Sequence, residues 1–103
     1  MTKSEDYYKQ ALQIYIDFDD RSAQAGPYHQ LGIVAQEQGL WMEAEGYYKQ
    51  ALQILMDFNN RYAQASSYHQ LGIVAEKERQ WTKAEEYYKK ERHININYNN
   101  QYA

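Results

Sequence analysis

The chain has 103 residues, no cysteine, and a formal charge of −3 from 11 Lys and Arg against 14 Asp and Glu. One domain of that length carries a modest core. The charge supplies neither the clustered basic face that nucleic acid requires nor a polybasic membrane segment, and the missing cysteines exclude a disulfide framework or thiolate zinc site.

Helical periodicity runs through the whole sequence, and strict alternation is sustained nowhere, so five helices and no strands are expected. The first covers about Ser4–Asp19, capped by Thr2 three residues before Glu5 or by Ser4 itself. The second covers Ser22–Gln38 and closes at Gly39, which suits a left-handed residue. The third runs over Trp41–Asn59 and the fourth over Tyr62–Glu78. Arg79 then stands where Gly39 stood, at a strain of about 1 kcal/mol if the same turn forms. The polar runs Asp19-Asp20-Arg21 and Asn59-Asn60-Arg61 mark the remaining turns. The fifth helix covers Trp81–Tyr98 and is far more polar, through Arg92, Asn95, Asn97, Asn99 and Asn100.

These elements repeat. The octapeptide YHQLGIVA occurs at Tyr28–Ala35 and again, unchanged, at Tyr68–Ala75. Residues 5–44 align with 45–84 without gaps, about 25 of the 40 positions being identical. A third, partial copy begins at Glu85. A fixed period of this size is the signature of stacked repeats, each too small to bury its apolar face alone. In YHQLGIVA the apolar stripe is Tyr28, Leu31, Val34 and Ala35. In the following helix it widens to Ala44, Tyr47, Tyr48, Ala51, Leu52, Leu55 and Phe58.

The set Tyr28, Leu31, Gly32, Ala35, then Trp41, Ala44, Tyr48, Ala51, Leu52, resembles the tetratricopeptide repeat (TPR). It returns as Tyr68, Leu71, Gly72, Ala75, Trp81, Ala84 and Tyr88. In that family a first helix, A, carries an aromatic and Leu-Gly, and a second, B, carries Ala, an aromatic, Ala and Leu. The resemblance implies an all-α, right-handed solenoid of antiparallel helix pairs with a period longer than the usual 34 residues. It implies one array over residues 1–103: a B helix at 4–19, a repeat at 22–59 and another at 62–98. The usual Pro at the end of helix B is absent. Glu91, Arg92 and His93 replace the Ala-Leu-Gln of the earlier copies. Gly32 and Ala44 are small enough for paired helices to approach closely, and Trp41 fills the space beside Ala35.

The chain starts on a B helix, so the side carrying Tyr8, Ala11 and Tyr15 is expected to be partly bare. Either the chain is a fragment of a longer array or a neighbouring copy supplies the missing surface; such patches mark contacts, and self-association through the N-terminal end follows as an expectation. The polar last helix reads as a cap or as a drifted tail.

Little points to catalysis. His29 and His69 are repeat-related and about 10 Å apart on neighbouring A helices, too far to share a metal ion. No nucleophile arrangement or phosphate loop occurs, and the carboxylates read as a solvated face. The tyrosine pairs Tyr7-Tyr8, Tyr47-Tyr48 and Tyr87-Tyr88 read as packing residues. The chain is therefore expected to be non-enzymatic and to hold no cofactor or metal. The opening MTKSEDYYKQ lacks the apolar core of a secretory leader, and no apolar run reaches the roughly 20 residues of a membrane span. With no cysteine this fits a cytoplasmic protein with no nucleic-acid or membrane partner.

The resemblance places a concave groove on the A helices, where a peptide or protein segment lies. Its lining would be His29, Ile33, Gln36 and Glu37, and His69, Ile73, Glu76 and Lys77, with Gly26 and Ser66 beside them. Ile33 and Ile73 either pack A against A or form an apolar floor. Relatives that clamp a carboxylate use Lys, Arg and Asn there; His and Ile replace them here, so no carboxylate clamp is expected. The alternative is an architectural array, designed or recently amplified, with no specific ligand.

Overall fold

In the computed structural model, residues 2–102 are described, with the side chains of 2–97. Five helices follow one another: α1 (Lys3–Asp17), α2 (Ala25–Glu37), α3 (Trp41–Asp57), α4 (Arg61–Lys77) and α5 (Trp81–Tyr102), with a 3-10 turn at Ser22–Gln24. No strand occurs among the described residues. Each helix packs mainly on its sequence neighbours. α2 and α4 are the A helices, and α1, α3 and α5 the B helices.

All four turns between helices are the same device. Asp19, Gly39, Asn59 and Arg79 each take a positive φ, between 56° and 74°. In each turn the residue after it donates its N–H back to the carbonyl five residues earlier: Asp20 to Tyr15, Leu40 to Ala35, Asn60 to Leu55 and Gln80 to Ala75. This double closure satisfies carbonyls that would otherwise lack partners. In the turns after α1 and α3, Asp20 and Asn60 also cap the next segment by accepting from Ala23 and Ala63 N–H. Thr2 caps α1 by accepting from Glu5 N–H at 3.0 Å.

Two helix boundaries differ from the sequence reading by three residues or more. The second predicted helix begins at Ser22, whereas the α-helix begins at Ala25, after the 3-10 turn. Pro27 has no N–H to donate, and a start at Ala25 places it in the first turn, where no donor is required. Position 67 in the second copy is Ser, and α4 accordingly starts at Arg61. The fifth helix continues past Tyr98 to Tyr102. The cap expected of Asn99 and Asn100 falls outside the described side chains.

The core lies where a B helix meets two A helices. Tyr48 of α3 is fully buried, in one cluster with Ala35 of α2, Ala44 of α3, and Leu71 and Val74 of α4; Trp41 packs against it. A second cluster joins Ala65 and Tyr68 of α4 to Ile94 of α5, with Leu52 and Tyr87 alongside. The glycines of YHQLGIVA create the space. A Cβ on Gly32 would lie 2.6 Å from the Tyr48 ring, and one on Gly72 2.5 Å from the Tyr88 ring. At the surface Glu45 joins Lys49 and Lys83 at 3.4 and 2.9 Å, and Arg21 meets Asp57 at 2.6 Å.

Two stability outcomes follow. Arg79→Gly removes the left-handed strain, against a smaller gain in unfolded-chain entropy, and is expected to stabilise by about 0.5–1 kcal/mol. A urea midpoint measures it. Gly32→Ala sets a methyl against a ring held on both sides, and overpacking of about 1–3 kcal/mol exceeds the roughly 1 kcal/mol helix-propensity gain. Tyr88 is only half-buried and can yield. Gly32→Ala should therefore lower the melting temperature clearly more than Gly72→Ala.

Candidate functional site

The outward side of the A helices carries the residues singled out by sequence, and the fold uses several of them itself. The His29 ring lies 5.4 Å from the Tyr48 ring, and the Tyr48 hydroxyl donates to Gln36 Oε1 at 2.6 Å. The second copy repeats this. The His69 ring lies 5.9 Å from the Tyr88 ring, and the Glu76 carboxylate acts on the Tyr88 hydroxyl. Burial, and for Tyr88 also the Glu76 carboxylate, pushes both phenols well above their ordinary range, so they stay neutral donors.

The two copies differ at the position facing the histidine. Glu91 stands where α3 has Ala51, and His69 Nδ1 lies 3.0 Å from its carboxylate. His29 has no such acid opposite it, and burial holds its imidazole below the ordinary value. Held below its ordinary value, the imidazole is neutral at pH 7. Ile33 is half-buried and packs against the Tyr48 cluster. Ile73 is half-buried, and Glu37, Glu76 and Lys77 are exposed.

A cleft of about 210 Å³ opens between α2 and α4. Its walls are Ala25, Gly26, His29 and Gln30 on one side and Ala63, Ser66 and Ser67 on the other, with Leu55 of α3 beneath. Of the eight site residues read from sequence, His29 lines it. Ile33, Gln36, Glu37, His69, Ile73, Glu76 and Lys77 do not. Ser67 was missed, and its hydroxyl is buried with no hydrogen-bond partner. A buried serine looks like any other polar residue in the sequence. Its one signal is that it replaces Pro27 of the first copy.

A helical pair with Tyr-x-x-Leu-Gly on A and the B-helix tyrosine seated on that glycine occurs twice, and the next A helix closes over the first of these tyrosines, which identifies the architecture. Residues 1–57, and again 23–92, match the tetratricopeptide repeat. The chain belongs to the tetratricopeptide repeat family. No curated protein and no solved structure matches it. Tetratricopeptide repeats generally mediate protein–protein interaction and typically serve as non-enzymatic scaffolds. Among the described residues no helix of this TPR array is long and apolar enough to cross a membrane.

A second cleft of about 520 Å³ lies between α4 and α5, with Arg61, Lys89, Lys90 and His93 on its rim and Tyr68 and Ile94 in its wall. Arg21, the counterpart of Arg61, is paired with Asp57. Forty residues after Asp57 the chain has Asn97, so that acid is lost in the TPR copy that contains this cleft.

The lowered His29 value has a defined sign. The unfolded chain takes up this proton near pH 6.5, before the folded chain does. His29 therefore contributes stability that is complete above that pH and is lost as the pH falls through the folded value. The fall in urea midpoint between about pH 7.5 and about pH 5.5 is expected to be smaller for His29→Gln than for the parent chain.

Proposed function

We propose that this TPR array binds an extended peptide or protein segment on its A-helix face, with the cleft between α2 and α4 as the anchor point. The observation that carries this reading is the cleft itself. Its walls are mainly small side chains, Ala25, Gly26, Ala63, Ser66 and Ser67, leaving room for one inserted side chain. Leu55 offers an apolar base, neutral His29 and Gln30 offer hydrogen-bonding edges, and Ser67 has an unused hydroxyl. A few polar groups around an apolar recess are what orient a peptide. His69, Ile73, Glu76 and Lys77 continue the same face along α4, and Ile33, Gln36 and Glu37 along α2. They would meet the rest of the segment.

The second reading is self-association through the N-terminal end, favoured by the uncovered side of α1. It requires a mass that rises with concentration. A purely architectural array requires neither a ligand nor an oligomer.

The test is a display screen of linear peptides, followed by titration of the best binder into variants. His29→Ala and Ser67→Ala are each expected to weaken binding by about tenfold, near 1.4 kcal/mol. Ser67→Ala should at the same time stabilise the fold by about 1 kcal/mol, because it removes an unsatisfied buried hydroxyl. Affinity and stability moving in opposite directions separates loss of a ligand contact from loss of fold. A binder indifferent to both variants overturns the cleft as the anchor.

A further inference from the structure

The cleft between α4 and α5 differs from its counterpart forty residues earlier by the loss of an internal acid. In the first copy the Asp57 carboxylate, at the end of α3, accepts from Arg21 Nη1 at 2.6 Å and from Gln53 Nε2 at 2.9 Å. Arg21 above all, and then Gln53, holds that carboxyl below the ordinary carboxylate value. In the second copy the arginine is kept as Arg61, but Asn97 stands for the acid and His93 for the glutamine. His93 Nε2 lies 3.1 Å from Asn97 Nδ2. Lys90 stands for Gln50, and its Nζ lies 5.5 Å from the centre of the Tyr68 ring. Leaving histidine aside, the place is two charge units more positive than in the first copy, one from Lys90 and one from Asn97. Lys89 is tied to Glu85 at 3.2 Å, as Lys49 is to Glu45 at 3.4 Å. Among the described residues no carboxylate lines the cleft.

This face stays open inside the array. Lys49, Gln50, Gln53 and Asp57 are all exposed in α3, although α3 packs between α2 and α4. A further repeat beside α5 would leave the same positions uncovered. We infer that the cleft binds a short acidic peptide segment, with one carboxylate taking the place of Asp57 between Arg61 and His93 and a neighbouring acid meeting Lys90. The first copy supplies the template, since it already holds a carboxylate on an arginine and its neighbour one turn back. Tyr68 and Ile94 give the segment an apolar wall to lie against. Nucleic acid fits less well. Tyr68 is 9% exposed with Lys90 over its ring, so no aromatic face is free for a base to stack on. The chain as a whole carries −3, which opposes a long polyanion.

The cleft shares no residue with the one between α2 and α4 and stands or falls independently of it. The probe is an acetylated, amidated hexapeptide of alternating Asp and Leu. It is titrated at low salt into the isotope-labelled full chain and followed by amide chemical shifts. Two charge-assisted contacts lead to an expected dissociation constant of roughly 100 µM, with shifts centred on Arg61, Lys90 and His93. Asn97→Asp returns the internal acid, occupies Arg61, and should weaken binding at least about fivefold. Arg61→Gln and Lys90→Gln should each weaken it about threefold or more. Arg92→Gln removes a cation from the same helix outside the cleft and should change the constant by less than about twofold. All four positions are exposed, so the fold is retained, which circular dichroism verifies. Undiminished binding in Asn97→Asp, an equal loss in Arg92→Gln, or equal binding of a hexapeptide with Asn for Asp would each overturn the assignment. So would shifts centred on the α2–α4 cleft, or no binding at millimolar peptide. Tighter binding of a single-stranded tetranucleotide than of the peptide would overturn it too, because the cleft would then be a nucleic-acid surface.

Discussion

Everything in this fold turns on how the B-helix tyrosine is enclosed. Tyr48 needs a glycine on one side and the leucine-valine stripe of the following A helix on the other. Where both are present its exposure is zero. Tyr8 has only a following helix and Tyr88 only a preceding one, and both are half-buried. The enclosure explains why glycine is tolerated in mid-helix at a cost of roughly 1 kcal/mol relative to alanine. The notch admits a large aromatic ring to the fully buried core, and such a ring contributes more burial than the lost propensity.

The same arrangement divides the A helix into two working faces. Ala, Tyr and Gly meet the helix's own B partner, while Leu and Val reach back to the preceding repeat. A third side, with His29 and Gln36 or His69 and Glu76, grips the tyrosine from its edge. Residues that sequence offers as free ligand-binding groups are thus partly spent on positioning the core aromatic. What is left open is narrower and lies nearer the start of the A helices, in the cleft around Gly26 and Ser66. The TPR copies are alike in core and unlike at this surface, because surface positions carry little packing constraint.

The ends differ for the same reason. Trp41 packs against the Tyr48 cluster, but Trp81, at the same place in the last pair, is 62% exposed. Arg92 is exposed where Leu52 packs against α4, and Glu91 has turned to His69. The outer side of α5 has thus exchanged part of its packing for polarity, whereas α1 keeps Tyr7, Ala11 and Ile14 unaltered.

Much of this was legible in the chain itself. A forty-residue period, helical spacing and the Tyr-x-x-Leu-Gly set identify five helices, their order and the tetratricopeptide repeat, because each rests on local pattern and repetition. Even the strained turn at Arg79 could be read, since Gly39 marks the same place one repeat earlier. The cleft could not. Whether His29 is neutral, whether Gln36 is free or already bonded to Tyr48, and whether Ser67 lacks a partner depend on atoms contributed by different helices. Side chains forty residues apart are placed within a few ångströms by the packing of helices, and no spacing along one chain encodes that distance.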